Sequence, residues 1–393
     1  EFGNLVLVGD NTPRFDHDPV TRESKGLLIE ESRTNIVYPS SDWTYFVSGQ
    51  PATNWTHEHS STTQEKNTTD TEDPAGTFTA TKITPTNSSS LRSIYWGTTI
   101  TFTNTVKFTM SAFAKSTTGL HVQLRPRGQG SGKAWATFNL TTGVVGNYGG
   151  STLVSTKIEK YPNDWYRCSL TFTGGGHTGG GFGALIMDDA TDGEAATHTG
   201  DPSKSIFFWG AQFETGSHAT SYIPTTSEGT ATRGVDQVTI EGEEFSEFYN
   251  RTEGSFVSEI MLPPSYPVSG YASIMMTLSD ASYNNRITLA SSTGSAVFNA
   301  DVNVGGTLSR AALGSYISGS HSIKASMAYK ASDSGGSLNG AAAATASPGT
   351  LPLLTRADIG KDHQNSNALN GHVKRIMYYT KRLSNNQLRT LTS

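Results

Sequence analysis

Between residues 36 and 232, runs of apolar and aromatic side chains at every second position alternate with breaks of Gly, Asn and Ser, as expected of half-buried strands joined by turns. One such face is carried by Val106, Phe108, Met110, Ala112 and Ala114, and another by Phe207, Trp209, Ala211 and Phe213. Further strands are predicted over 78–83, 91–96, 119–126, 134–140, 153–160 and 182–187. So many short strands in one stretch predict a two-sheet sandwich of jelly-roll type. A second set follows Thr232-Arg233-Gly234, with strands over 254–262, 271–278, 286–290 and 321–330; in the last, Ile323, Ala325, Met327 and Tyr329 share a face. The run Gly371 to Tyr379 closes this set, and Ser384 and Gln387, spaced as a capping box, open a short C-terminal helix. The expected fold class is all-β, two β-sandwich domains over 36–232 and 235–393, preceded by an arm over 1–35.

Length agrees, since 393 residues suffice for two domains with cores of their own. In the arm, Arg14-Phe15-Asp16-His17-Asp18 lies between Pro13 and Pro19 and reads as a turn whose carboxylates accept backbone hydrogen bonds. The stretch 57–75, rich in Thr, Ser, Asn and acids, reads as a long solvated loop. With 29 Lys and Arg against 34 Asp and Glu, a net charge of −5 and no basic run, the chain lacks what neutralises phosphates, so nucleic acid is not an expected partner. No apolar run approaches the roughly 18 residues of a helical span, so membrane insertion is not expected either. Glu1 in place of an initiator Met suggests a fragment or a processed chain. The single Cys168 alternates with Tyr166, Leu170 and Phe172 and reads as a buried small hydrophobe.

Candidate chemistry is sparse. Gly174-Gly175-Gly176-His177-Thr178-Gly179 satisfies G-x-G-x-x-G but leads into another strand, and a phosphate site needs a helix there. No G-x-S-x-G occurs, so a local signature for a nucleophile is missing and no enzyme activity is expected. Asp188, Asp189, Asp192 and Glu194 form an acidic loop for which a non-EF-hand Ca²⁺ site competes with a solvated turn; Ala190 and Thr199 stand where an EF-hand needs ligands. Otherwise no cofactor is expected. Aromatic side chains can stack on sugar C–H faces while Asn or Arg hold the hydroxyls. On that basis Trp96 and Trp135, with Arg125 and Arg127 on an adjacent strand, are candidates for a glycan-facing surface, whereas Trp165 and Trp209 are assigned to packing. In the second domain Tyr283, Asn285 and Arg286 form a similar candidate set in a loop.

Several blocks carry a family resemblance. Gly26-Leu27-Leu28-Ile29-Glu30-Glu31-Ser32-Arg33-Thr34-Asn35 resembles a block of bacteriophage tail-fibre and virion structural proteins of marine-phage type. Asn163-Asp164-Trp165-Tyr166-Arg167-Cys168 is similar to a strand of theirs, and Trp209-Gly210-Ala211-Gln212-Phe213-Glu214 with Ala219-Thr220-Ser221-Tyr222-Ile223-Pro224-Thr225 is similar to the close of their carbohydrate-binding-module-like jelly roll. The C-terminal half, with Leu338-Asn339-Gly340, Ile359-Gly360 and its terminal helix, resembles concanavalin-like (laminin-G-like) sandwiches. The resemblance implies a virion adhesin on an external appendage, homotrimeric, bound to other virion proteins and recognising host surface polysaccharide or lipopolysaccharide. A structural virion decoration or connector is the alternative, and a tailspike-like depolymerase a further one. The arm is then expected to pair with a neighbouring subunit or another virion protein.

Overall fold

Side chains on a strand alternate between faces, so apolar residues at every second position commit one face to a core. The computed structural model describes residues 3–9, 11–42, 55–57, 61–128, 133–226, 229–262, 274–292, 297–315, 322–364 and 367–393. The chain divides into two compact units, one of Glu1–Leu7, Pro19–Arg22 and Arg33–Arg233, the other of Val8–Asp18, Glu23–Ser32 and Gly234–Ser393. Both are β-sandwiches, as the alternation predicts.

In the first unit, one six-stranded sheet runs in the order Val144–Gly149, Trp135–Asn139, His121–Arg127, His177–Met187, Ser93–Phe102 and Trp55–His57. The other runs Leu153–Lys160, Tyr166–Thr173, Lys107–Ser116, Ile206–Thr215, Thr81–Pro85 and Thr62–Glu65. Trp96, Leu124, Phe138 and Phe182 of the first sheet meet Phe108, Leu170, Phe208 and Phe213 of the second in one core.

The strand Ile206–Thr215 breaks its expected alternation. A bulge lies between Trp209 and Gln212, where Gly210 adopts φ +61°, a value that glycine reaches without a Cβ penalty. The extra residue reverses the phase: Ala211 and Phe213 enter the main core, while Phe207 and Trp209 pack with Phe113 and Trp165 in a separate cluster.

Beyond the bulge, Glu214 is fully buried and accepts hydrogen bonds from Gln212 Nε2 (2.7 Å), Thr220 N (3.0 Å) and Thr220 Oγ1 (2.7 Å), with Arg33 Nε 3.5 Å away. Asn35, also fully buried, donates to Ala211 O and Ile223 O and accepts from Val37 N and Phe213 N. Arg167 donates to Thr220 O (2.7 Å) and Ser111 Oγ (3.1 Å). The three sequence blocks of this unit that carry the family resemblance therefore meet as one buried hydrogen-bond network.

The polar stretch expected to be a solvated loop is organised too. Strand Thr62–Glu65 lies within it, and Asp73, 2% exposed, accepts from the backbone of Ala75, Thr77 and Thr79 and from the hydroxyls of Thr77 and Thr79. Burial alone raises a carboxyl pKa, but these donors more than reverse it, so Asp73 is held below the usual carboxylate range.

In the second unit, a seven-stranded sheet runs Phe15–His17, Ser24–Ile29, Gly371–Tyr379, Glu253–Met261, Ile323–Lys330, Ser334–Leu338 and Ala344–Ala346. A six-stranded sheet runs Thr239–Glu241, Arg356–Ile359, Ile274–Ser279, Arg286–Ser291, Val297–Val304 and Thr307–Ser315. Ile323, Ala325, Met327 and Tyr329 share the core with Phe256, Leu278 and Phe298. The expected arm is corrected here: it pairs within its own chain, Leu27 opposite Val373 and Ile29 opposite Gly371, because Ile29 buries itself in this core. Its acids are ion-paired rather than turn-forming alone, Asp16 with His372 (2.7 Å) and Lys25 (3.6 Å), while Arg14 binds Glu30 (2.9 Å) and Asp236. The capping box of Ser384 and Gln387 opens helix Asn385–Leu391. A second helix, Gly242–Phe248, was not predicted; Phe245, Phe248 and Tyr249 mark its inner side at helical spacing.

Two outcomes test this account. Glu214→Ala leaves the Thr220 amide and hydroxyl without their acceptor and removes the carboxylate close to Arg33, and should destabilise the first unit by about 3 to 5 kcal/mol in urea unfolding; a loss under about 1 kcal/mol would deny the network its role. A depressed native pKa adds stability that is present above the unfolded value of about 3.9 and is lost as pH falls through the native one. The melting temperatures of the native protein and Asp73→Asn should accordingly converge as pH is lowered from about 6 to about 3, and a constant gap would contradict the role of Asp73.

Candidate functional site

One transverse row of side chains crosses the outer face of the first unit's first sheet. Gly149 pairs with Trp135, Arg125 with Gly183, Gly183 with Tyr95, and Tyr95 with Thr56. Leu124 pairs with Ala136, so Trp135 stands one step along, level with Arg125. Directly opposed residues project from the same face. Leu124, Ala136, Phe182, Ala184, Ile94 and Trp96 point into the core, leaving Trp135, Arg125 and Tyr95 on the other side, each partly exposed. At about 4.8 Å per strand, Trp135 and Tyr95 are about 14 Å apart along the row.

Glycines shape the floor. A Cβ on Gly149 would come within 3.0 Å of the Trp135 ring nitrogen, so the indole packs against bare backbone. Gly183 separates Arg125 from Tyr95, and Gly181 lies opposite Arg127. Across this lane Arg127 places its guanidinium 3.6 Å from the Tyr95 ring centre, a cation–π contact.

Residues 188–199 form a wall on one side of the row. Gln123, fully buried although on the outer face, donates to Gly193 O (3.1 Å) and accepts from Ala195 N (2.9 Å). Asn147 holds the loop at Ala190 O through its backbone and at Thr191 O through its side chain. Asp188 is bound by Arg92 (3.1 Å) and lies 3.6 Å from His198, which also approaches Asp192 to 2.6 Å. Asp189 accepts from the amide and hydroxyl of Thr191, which hold it below the usual carboxylate range. Glu194 reaches Arg125 at 3.4 Å.

The residues considered for Ca²⁺, Asp188, Asp189, Asp192 and Glu194, make contacts within the protein. Arg92, Thr191 and Arg125 contact Asp188, Asp189 and Glu194, His198 approaches Asp192, and among the described residues no three acidic, His or Cys side chains gather as a metal ligand set.

Of the glycan-facing candidates, Trp135, Arg125 and Arg127 share the open face, whereas Trp96 does not. Trp96 is 2% exposed, donates to Tyr38 O (2.6 Å) and packs edge-on against Tyr38. Its neighbour Tyr95 was missed. Ile94 and Trp96 flanking Tyr95 were the available signal, because a residue between two core positions must face outward. In the second unit Tyr283 and Arg286 come together, with 5.0 Å from guanidinium to ring centre. Asn285 instead holds its turn, donating to Asp280 (2.9 Å) and accepting from Gly305 N.

No protein-family model and no curated protein sequence matches the chain. Among solved structures it is similar to the CBM40 module of a Ruminococcus gnavus IT-sialidase bound to α2,3-sialyllactose, at 14% identity and TM-score 0.32 over 40% of this chain and 97% of that one. It is also similar to domains LG4-5 of the mouse laminin α1 chain, at 11% identity and TM-score 0.28 over 75% of this chain and 89% of that one. A SAP-like pentraxin from Limulus polyphemus is similar at 12% identity and TM-score 0.28, over 36% of this chain and 70% of that one. These likenesses concern the β-sandwich fold; the site rests on the chain's own geometry. Among the described residues no helix is long and apolar enough to cross a membrane.

Tryptophan substitutions separate the open face from the core. Trp96→Ala should cost about 3 to 5 kcal/mol in chemical unfolding without reporting on ligand, while Trp135→Ala and Tyr95→Ala should cost much less and abolish the binding of extended saccharides along the row, measured by glycan array. Retained binding in both latter variants would remove the row from the site.

Proposed function

We propose that the chain is a non-catalytic glycan-binding protein whose binding face is the row Trp135, Arg125, Gly183 and Tyr95. The observation that carries this reading is the alignment itself: an indole, a guanidinium, a bare backbone gap and a phenol at one level of a rigid sheet. Flat aromatic faces accept sugar C–H surfaces, and planar guanidinium donors fix hydroxyl or acid oxygens. Strands hold these groups at fixed spacing, so little ordering entropy is lost when an extended saccharide lies along them. Glycoside hydrolysis requires two carboxyl groups astride the scissile bond, and the row carries none; Glu194 approaches only from the wall.

The resemblance of the sequence blocks to phage tail-fibre proteins supports a more particular reading: a virion adhesin on an external appendage that recognises host polysaccharide or lipopolysaccharide. As a homotrimer it would repeat weak contacts and convert them to avidity through effective concentration. Fluorescently labelled protein should stain the host of the parent virion and block its adsorption. A folded protein in its native oligomer that does neither sinks the adhesin reading.

Charge on the face gives a sharper test. Arg125 faces Glu194, 38% exposed at its side chain. Glu194→Gln should therefore strengthen binding of carboxylated glycans roughly two- to fivefold, as expected for losing an exposed competing ion pair, while neutral glycans change little. Equal effects on both classes, read by titration calorimetry, would show that Glu194 does not compete with ligand.

A further inference from the structure

We propose a second saccharide site, independent of the row, at one end of the second unit. Three turns meet there: Asn285 Oδ1 accepts from Gly305 N (2.9 Å), Gly306 N donates to Asn284 O (3.0 Å), and the Tyr283 hydroxyl donates to Asp362 Oδ2 (3.0 Å). Asp362 is fully buried and also accepts from Asn367 Nδ2 (2.9 Å) and Gln364 N (3.1 Å), so Tyr283 is held in place. Its ring nevertheless remains 38% exposed, with His363 edge-on at 4.5 Å and the Arg286 guanidinium at 5.0 Å.

Around this anchored ring, three buried polar atoms have no hydrogen-bond partner among the described residues: His363 Nδ1, Arg286 Nε and Asn303 Oδ1. Asn303 is 8% exposed, lies directly opposite Arg286 across the sheet, and spends its amide nitrogen on Tyr283 O (3.1 Å). Unsatisfied buried groups cost free energy, and their gathering about one half-exposed aromatic calls for a partner with matching chemistry. Arg286 Nε can only donate, Asn303 Oδ1 can only accept, and His363 Nδ1 does either according to tautomer. A sugar hydroxyl donates and accepts in one group, and a sugar ring offers a C–H face to Tyr283. The Asp362 carboxylate, which holds the Tyr283 hydroxyl, makes a neutral saccharide the fitting class.

Ordered water can satisfy the same atoms, and the experiment separates the two. Full-length protein carrying Trp135→Ala, so that the row does not contribute, is titrated with the methyl glycosides of glucose, galactose, mannose and N-acetylglucosamine. Saturation-transfer NMR is read together with the ring ¹⁵N shift of His363. At least one glycoside should bind with a millimolar Kd, move the His363 signal, and bind about tenfold more weakly to Tyr283→Ala and to Arg286→Lys, which lacks Nε–H. Binding that survives both substitutions overturns the site. So does the absence of transfer from all four sugars to folded protein, or a crystal soaked in them that shows only water at these atoms. Because the row is silenced throughout, its failure as a glycan site would leave this result standing.

Discussion

A buried carboxylate in a sandwich core needs donors on every lone pair, and Glu214 obtains them from Gln212 and Thr220, with Arg33 close by. Burial pushes its pKa up, and these partners pull against that rise without cancelling it. The requirement ties strand Arg33–Asn35, strand Ile206–Thr215 and the segment 217–223 into one arrangement, since each contributes a group facing this carboxylate or its partners. It depends in turn on the bulge at Gly210, which brings Gln212 and Glu214 to this side and sends Phe213 into the core. Removing Glu214 leaves the buried Thr220 amide and hydroxyl without the acceptor they share, which is more costly than never having built the network.

That arrangement fixes one sheet and frees the other. With the core closed by the shared inner faces, the outer face of the sheet containing His121–Arg127 needs only partial cover, and residues 188–199 provide it over Gln123. The carboxylates of this loop are spent on holding it in place, through Arg92, His198 and Thr191. What is left partly open is the next row, where Gly183 lies between Arg125 and Tyr95 and Arg127 reaches across to the Tyr95 ring. A mixed aromatic and cationic strip on a sheet is suited to binding, since rigid presentation lowers the entropic cost of each contact. The second unit uses different means toward a similar end, with turns rather than a sheet face carrying Tyr283.

Much of the fold was legible in the chain. Strands such as Leu153–Lys160 and Ile323–Lys330 and the capped terminal helix follow from periodicity and capping chemistry, which act over a few residues. Trp135, Arg125 and Arg127 were legible as candidates because their residue types suit sugars. Trp96 misled, because a one-residue difference of phase separates core from surface on a strand, and chemistry alone does not reveal phase. The helix Gly242–Phe248 escaped because its apolar spacing spans only two turns.

By itself, then, the sequence determined that this protein is built of strands and that it contains two sandwiches. Local spacing suffices for these, since each strand carries its own burial pattern. Tertiary structure alone decided that Phe15–His17 and Ser24–Ile29 join the second unit's sheet, that Arg92 and Arg125 meet carboxylates of the acidic loop, and that Tyr95 rather than Trp96 joins Trp135. These outcomes depend on pairing between residues far apart in the chain: Leu27 with Val373, Arg92 with Asp188, Tyr95 with Gly183. Which distant strands pair is settled by the total burial and hydrogen bonding of the whole sheet, a sum that no short window of sequence contains.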